Sequence, residues 1–101
     1  MTRAQLEVGE HTAVLPCGWR DRLVPVRGEG TRGATGWCPE IHDLLIAKLV
    51  AGREKDLDFA AAAAEHGLVG QDTLRARLAD TDLADALRAL VAGRIERIFA
   101  R

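Results

Sequence analysis

The chain has no serine, no asparagine and no tyrosine among its 101 residues. The absence of serine excludes a serine nucleophile and a Gly-Ser phosphate-binding loop from this sequence. No apolar run approaches the ~20 residues that a membrane-spanning helix needs, so we expect no membrane segment. Fourteen basic and fifteen acidic residues leave a net charge of -1, which argues against a strongly basic nucleic-acid-binding protein.

Cysteine is scarce, with Cys17 and Cys38 as its two representatives. Only Cys38 lies near a histidine, His42, and no CxxC motif occurs, so the spacing does not fit a structural zinc site. We therefore expect no metal site, and we expect the two cysteines to pack as small hydrophobic residues beside Trp19 and Trp37. The first ten residues lack the apolar segment of a signal peptide. The sequence predicts a cytoplasmic protein with reduced thiols.

The residues that are present divide the chain at Pro39. Residues 1–38 contain short apolar and β-branched stretches separated by glycine, which is typical of strands and turns. From Pro39 onward the apolar residues recur at helical spacing. The sequence predicts one α+β domain over residues 1–101, with a β-rich segment (1–38) followed by a helical segment (39–101). The expected strands lie within 11–16, 21–26 and 34–38, and the expected helices cover about 39–51, 53–66, 72–78 and 83–100.

Four positions mark the expected helix ends. Pro39 suits the first turn of a helix, and Gly52 and Gly67 suit the residue after a helix. Asp82 is expected to cap the last helix, with Asp85 three residues later as in a capping box.

Lysine is used sparingly in this chain, which has twelve arginines and two lysines, Lys48 and Lys55. On a helical wheel, Lys48 falls among the apolar residues of the first helix. An ammonium group there must extend to water, pair with a carboxylate such as Asp56 or Asp58, or face a cleft that binds an anion. The sequence alone leaves these three interpretations open.

The second expected helix begins with the charged run Arg53-Glu54-Lys55-Asp56. Arg53 and Asp56 are three residues apart, so they are expected to form a surface ion pair worth a few tenths of a kcal/mol. The alternative is that Arg53 and Lys55, beside the free amides of a helix N-terminus, bind a phosphate.

Three stretches, taken in order, resemble one protein family. It is a group of bacterial nucleotidyltransferase-like proteins of unassigned substrate. It is similar to the nucleotidyltransferases of abortive-infection and minimal-nucleotidyltransferase toxin–antitoxin systems. The resemblance covers most of residues 12–79. The stretches are 18–27 (GWRDRLVPVR), 31–38 (TRGATGWC) and 42–56 (HDLLIAKLVAGREKD).

The resemblance implies the C-terminal half of a nucleotidyltransferase fold. It also implies that Lys48, Arg53, Lys55 and Asp56 line the nucleotide side of a cleft. A complete member of the family carries a Gly-Ser loop for a nucleoside triphosphate and strand-borne acidic residues for Mg²⁺. This sequence has neither, so we expect it to contain no catalytic residue, to hold no cofactor and to be inactive by itself.

Three functions are compatible with these features of the sequence. The first is a truncated nucleotidyltransferase-like C-terminal domain that binds a nucleotide without transferring it. The second is an interaction module or subunit that pairs with a catalytic N-terminal half or a separate catalytic chain, as in a toxin–antitoxin system. The third is a DNA-binding helix-turn-helix formed by helices 72–78 and 83–100. The acidic link at 79–82 argues against this third function, because phosphates would approach there.

Overall fold

A computed structural model describes residues 14–26 and 36–100 of the chain. A short 3-10 helix, Trp19–Arg22, leads into two strands, β1 (Val24–Val26) and β2 (Gly36–Cys38). Four helices follow: α1 (Ile41–Ala51), α2 (Glu54–Glu65), α3 (Gln71–Ala79) and α4 (Asp85–Phe99). The prediction of an α+β fold with a small sheet and four helices is therefore confirmed.

The two strands form an antiparallel ribbon in which Pro25 lies opposite Trp37. Because proline has no N–H group, the ladder hydrogen bonds fall on the flanking pairs, and the amide and carbonyl of Trp37 point away from β1. The expected strand over 21–26 is shorter than predicted, since Trp19–Arg22 is helical. Of the expected strand 11–16, residues 14–16 are not in a strand and 11–13 lie outside the described residues. The strand expected over 34–38 is confirmed for 36–38.

The four helices bury one hydrophobic core. Helices α1 and α4 each contact the other three helices, so they form the centre of the bundle. Alanines of α2 let its backbone approach α1 and α4 closely, and Ala60 and Ala63 are buried there. The core is completed by Leu45, Ile46, Leu49, Val69, Leu74, Leu78, Val91, Ile95 and Ile98.

The helix ends agree with the sequence in some places and differ in others. Gly52 and Gly67 adopt left-handed φ angles of 68° and 71°, as predicted for residues that end helices. Helix α1 begins after Glu40, whose side chain accepts a hydrogen bond from the His42 N–H, so Pro39 lies outside its first turn. The prediction that Asp82 caps α4 is wrong, because Ala84 occupies the N-cap position.

Two arginines of α4 cap the C-termini of other helices. Arg94 donates to the carbonyl of Leu49 at 2.5 Å, near the end of α1. Arg88 donates to the carbonyl of Leu78 at 2.5 Å, near the end of α3, and to that of Leu83 at 3.2 Å. Leu83 lies outside α4, which begins two residues later than the sequence suggests. Positive charge at these carbonyl-rich ends is favourable.

Within the described ranges, no helix has the length and hydrophobicity needed to cross a membrane.

Candidate functional site

Two clusters of charged side chains lie at opposite ends of α1, and each surrounds a buried aspartate. The junction cluster, at the turn between α1 and α2, consists of Lys48, Arg53 and Asp56, which are joined by ion pairs, together with Lys55, which adjoins Asp56 in sequence. The entry cluster, at the start of α1, consists of Arg22, Glu40, His42, Asp43 and Arg77. The junction cluster contains the four residues that the resemblance implicates in nucleotide binding.

Asp56 is the centre of the junction cluster. Its side chain is 1% exposed, and its Oδ2 accepts a hydrogen bond from Arg53 Nε at 2.7 Å. Lys48 Nζ lies 3.6 Å from the other carboxylate oxygen. The Arg53 hydrogen bond lowers the pKa of Asp56; burial opposes the shift, and the charges of Arg53 and Lys48 add to it. Asp56 is therefore an ionised carboxylate shared by two cations.

The cations of this cluster extend toward solvent. The side chain of Arg53 is 65% exposed and that of Lys48 is 29% exposed. Because Arg53 bonds Asp56 through Nε, its two terminal nitrogens lie farther out on the exposed side chain. Lys55, in the first turn of α2, is exposed. The three-residue spacing thus correctly predicted the Arg53–Asp56 ion pair, but it did not predict that the carboxylate is buried.

Lys48 has a second contact that fixes its position. Its ammonium lies 4.9 Å from the centre of the Phe59 ring, within the range of a cation–π interaction. Of the three interpretations open for Lys48, the structure shows the ion pair, and the partner is Asp56 rather than Asp58.

The position of Lys48 on α1 differs from the expected one. The buried residues of this helix are Asp43, Leu45, Ile46 and Leu49, which centre the buried face close to Leu49. On the wheel, Lys48 lies about 100° from Leu49 and about 60° from Leu45, the residue at that edge of the buried face. It therefore lies on the flank of the buried face, where its ammonium can reach both Asp56 and solvent.

Asp43 is the centre of the entry cluster, and its side chain is fully buried. Arg22 binds both of its oxygens, with Nε at 2.8 Å from Oδ2 and Nη2 at 2.9 Å from Oδ1. Arg77 Nη1 donates to Asp43 Oδ1 at 2.8 Å. The hydrogen bond with Asp43 raises the pKa of Arg22. Two arginines from separate elements thus neutralise one carboxylate and join the 3-10 helix, α1 and α3.

Glu40 extends this cluster to His42. Its Oε1 accepts from Arg77 Nη1 at 2.5 Å, and its Oε2 lies 2.6 Å from His42 Nδ1. Burial favours the protonated carboxyl, but hydrogen bonds from His42 and Arg77 outweigh it and lower the pKa of Glu40 to about 2. The side chain of His42 is 16% exposed and is bonded at both ring nitrogens.

The cysteines also differ from their expected environment. Cys17 and Cys38 are free thiols, and both are exposed rather than packed as small hydrophobic residues. Cys17 lies in the turn before the 3-10 helix, and its backbone carbonyl accepts from Arg22 Nη2 at 2.9 Å. Cys38 is in β2, all of whose residues are exposed. Within residues 14–26 and 36–100, no second layer covers the side chains of this short ribbon.

The side chains of the described residues do not provide a metal site. In residues 14–26 and 36–100, no group of three or more histidine, cysteine or acidic residues is arranged to hold a metal ion. Asp56, the acidic residue of the junction cluster, is occupied by two cations. These residues do not fit the Mg²⁺ that a complete nucleotidyltransferase would use.

A groove of about 400 Å³ lies between α2 and α4. Its lining combines apolar side chains such as Leu57 and Leu90 with the charged Asp58, Arg94 and Arg97. Arg94 connects this groove to the junction cluster, because its guanidinium also caps α1 and lies directly against Gly52.

Comparison with known proteins gave one family. The family model described as a nucleotidyltransferase of unknown function (DUF6036) matches residues 4–95. No curated protein and no solved structure matches the chain. The matched range includes both charged clusters.

Proposed function

The chain belongs to this family of nucleotidyltransferases of unknown function, and from that premise we propose that its junction cluster binds the phosphates of a nucleoside triphosphate. The observation that carries the proposal is the arrangement around Asp56. A buried carboxylate holds Lys48 and Arg53 in place while both cations remain accessible to solvent. A phosphate group that approached them would meet cations whose side chains are already ordered, which lowers the entropic cost of binding.

The charge of the cluster is favourable for an anion, though modest. Lys48, Arg53 and Lys55 contribute three positive charges, and Asp56 and the neighbouring Glu54 contribute two negative ones. The N-terminus of α2 adds its unpaired amides and the positive end of its dipole. In this proposal, Lys48 and Lys55 contact phosphate as point charges, Arg53 donates from its terminal nitrogens, and Asp56 positions Lys48 and Arg53.

We further propose that the chain alone is catalytically incomplete. Nucleotidyl transfer depends on metal ions that bridge the phosphates and are held by carboxylates. The described residues hold no suitable group of ligands, and the sequence has no serine for a Gly-Ser loop. The missing groups would come from a catalytic N-terminal half or from a separate catalytic chain.

The role of an interaction module or subunit is the second candidate function, and the β-ribbon supports it. Trp37 is 60% exposed and Val24 is 43% exposed. A two-stranded ribbon is marginally stable by itself and gains stability when another element covers it. In this alternative the ribbon packs against a partner chain, as the resemblance to toxin–antitoxin systems suggests, and the junction cluster has no ligand.

Thermal unfolding with nucleoside triphosphate and Mg²⁺ tests the first proposal. A ligand that binds only the folded chain adds about 2.7 kcal/mol at a concentration of 100 Kd. For a domain of this size, that addition corresponds to a Tm increase of roughly 10 °C or more. We expect wild type to show such an increase, and we expect Lys48→Met and Lys55→Ala to reduce or abolish it.

Arg75→Ala is the matched control, because Arg75 is an exposed cation on α3 outside both clusters. It should leave the ligand-induced increase unchanged. If wild type shows no increase at millimolar ligand, or if Arg75→Ala loses the increase as completely as Lys55→Ala, the junction cluster is not the binding site.

Catalytic incompleteness has its own test. Purified chain incubated with radiolabelled nucleoside triphosphates and Mg²⁺ should transfer no label to protein or RNA. Labelling that grows with time and disappears in the Lys48→Met variant would show that the chain is complete as an enzyme.

A further inference from the structure

His42 bonds two different partners through its two ring nitrogens. Nδ1 lies 2.6 Å from Glu40 Oε2, and Nε2 lies 3.1 Å from the backbone nitrogen of Gly70. A backbone N–H can only donate, so Nε2 must supply a lone pair. The carboxylate of Glu40 can accept, so Nδ1 carries the proton. The observed contacts therefore require a neutral imidazole in the Nδ1–H form.

Gly70 is the N-cap residue of α3, and no side chain of that helix caps this end. The lone pair of His42 thus provides an acceptor, from another helix, at the positive end of the α3 dipole. Helix α3 has nine residues, and a helix this short depends on tertiary contacts for its stability. Its first turn should therefore be sensitive to the state of His42.

Protonation of the ring would act differently on the two contacts. A proton on Nε2 would point at the Gly70 N–H, so this hydrogen bond would be lost, and a positive charge would face a helix N-terminus. The contact with Glu40 would be kept, because an imidazolium still donates from Nδ1 to a carboxylate. The ring would stay on α1 while α3 lost its acceptor.

We propose that His42 is a pH-sensitive latch that holds the start of α3 against α1 when neutral and releases it when protonated. Among the side chains around the ring, histidine is the type whose charge ordinarily changes between pH 5 and 8. Arginine and carboxylate side chains ordinarily keep their charges in this interval. The charged groups bonded around Glu40 and Asp43, at the start of α1, are Arg77 from α3 and Arg22 from the 3-10 helix. Of the other charged or titratable residues on the neighbouring segments, Asp72 lies in the first turn of α3 and His66 follows the last residue of α2.

NMR of the full chain tests the latch in two steps. At pH 8, ¹⁵N–¹H correlations of the His42 ring should show the proton on Nδ1. The second step compares the hydrogen exchange rate of the Gly70 amide with that of the core amide of Ile95. The ratio of these two rates should rise about tenfold between pH 8 and 5, the change expected for the loss of one hydrogen bond. The midpoint should coincide with the titration of the His42 ring.

Two glutamine variants provide the comparison. Glutamine at position 42 offers an amide oxygen that accepts from Gly70 at every pH, so His42→Gln should remove the pH dependence. His66→Gln, at an exposed histidine outside the cluster, should retain it. A proton on Nε2 at pH 8, or a ratio of Gly70 to Ile95 exchange rates that stays constant while the His42 ring titrates, would overturn the proposal. Both results come from wild type, so they decide the question even if His42→Gln does not fold.

Discussion

The two ends of α1 use the same device, a buried aspartate between two cations, with different consequences. At the entry cluster, Asp43 is joined by Arg22 and Arg77, which lie 21 and 34 residues away in sequence. At the junction cluster, Asp56 is joined by Arg53, three residues away, and by Lys48 from the preceding helix. The entry cluster connects elements that are distant in sequence, whereas the junction cluster joins two consecutive helices across the turn between them.

Exposure of the cations distinguishes the clusters further. The side chains of Arg22 and Arg77 are 29% and 19% exposed, and each bonds more than one acceptor. Arg53 is 65% exposed and is held by Asp56 through Nε. A buried carboxylate stabilises the fold when its cations bond mainly groups within the protein. When the cations of such a carboxylate still face solvent, they can also bind an anion. The entry cluster is therefore structural, and the junction cluster is the better candidate for a ligand.

The largest effect should come from removing the two aspartates. Asp43→Ala leaves two poorly exposed arginines without their carboxylate, so we expect the free energy of unfolding to fall by about 3–5 kcal/mol. Asp56→Ala should cost less than Asp43→Ala, because Arg53 and Lys48 can extend into water. Urea unfolding at neutral pH measures both values. Asp82→Ala, at an exposed site, should change stability by less than about 0.5 kcal/mol. Equal losses for the two cluster variants would contradict the distinction between them.

Acid should weaken the entry cluster through Glu40. Its pKa is lowered from 4.5 to about 2, so it stabilises the fold above pH 4.5, and this contribution is lost as pH falls through about 2. The contribution cannot exceed about 3.5 kcal/mol, since one pKa unit corresponds to about 1.4 kcal/mol. With the side chain 24% exposed, solvent screening keeps it below that limit.

The measurement is urea unfolding of wild type and Glu40→Gln from pH 6 to 2.5. The stability difference between them should shrink as the pH falls, because glutamine does not titrate. A difference that stays constant over this range would show that Glu40 is not held ionised by its neighbours.

A smaller loss of stability is expected from substitution of the two glycines that end α1 and α2. Gly52 and Gly67 both have positive φ, so alanine at either position costs about 1 kcal/mol. At Gly52 a Cβ would also lie 2.5–2.8 Å from the Arg94 guanidinium, whereas at Gly67 it would meet nothing within 4 Å. We expect Gly52→Ala to cost about 1 kcal/mol more than Gly67→Ala, the value of the Arg94–Leu49 hydrogen bond that must shift.

Thermal or urea unfolding of a double mutant isolates this second part. In an Arg94→Ala background, the two glycine variants should become equally costly, because the guanidinium that crowds Gly52 is gone. If Gly52→Ala remains the more costly of the two, the close approach of Arg94 is not the cause.

Local features of this protein were predictable from its sequence. The helical spacing of apolar residues, together with Gly52 and Gly67, located α1 and α2 closely, because helical pitch and left-handed φ depend on a few neighbouring residues. The i,i+3 spacing identified the Arg53–Asp56 pair, and the list of two carboxylates for Lys48 included the correct one. The starts of α4 and of β1 were less predictable: Ala84 rather than Asp82 is the N-cap of α4, and a 3-10 turn occupies the first residues of the expected strand.

The tertiary structure alone decided which of these charges are buried and which distant ones meet. Nothing in the spacing of Arg22, Asp43 and Arg77 indicates a contact, because they lie on three elements whose packing brings them together. Burial of Asp43 and Asp56 likewise depends on the helices that cover them, and the role of His42 depends on Gly70 of a later connection. Local geometry follows from the chemistry of adjacent residues, whereas burial and long-range pairing follow from how the whole core packs.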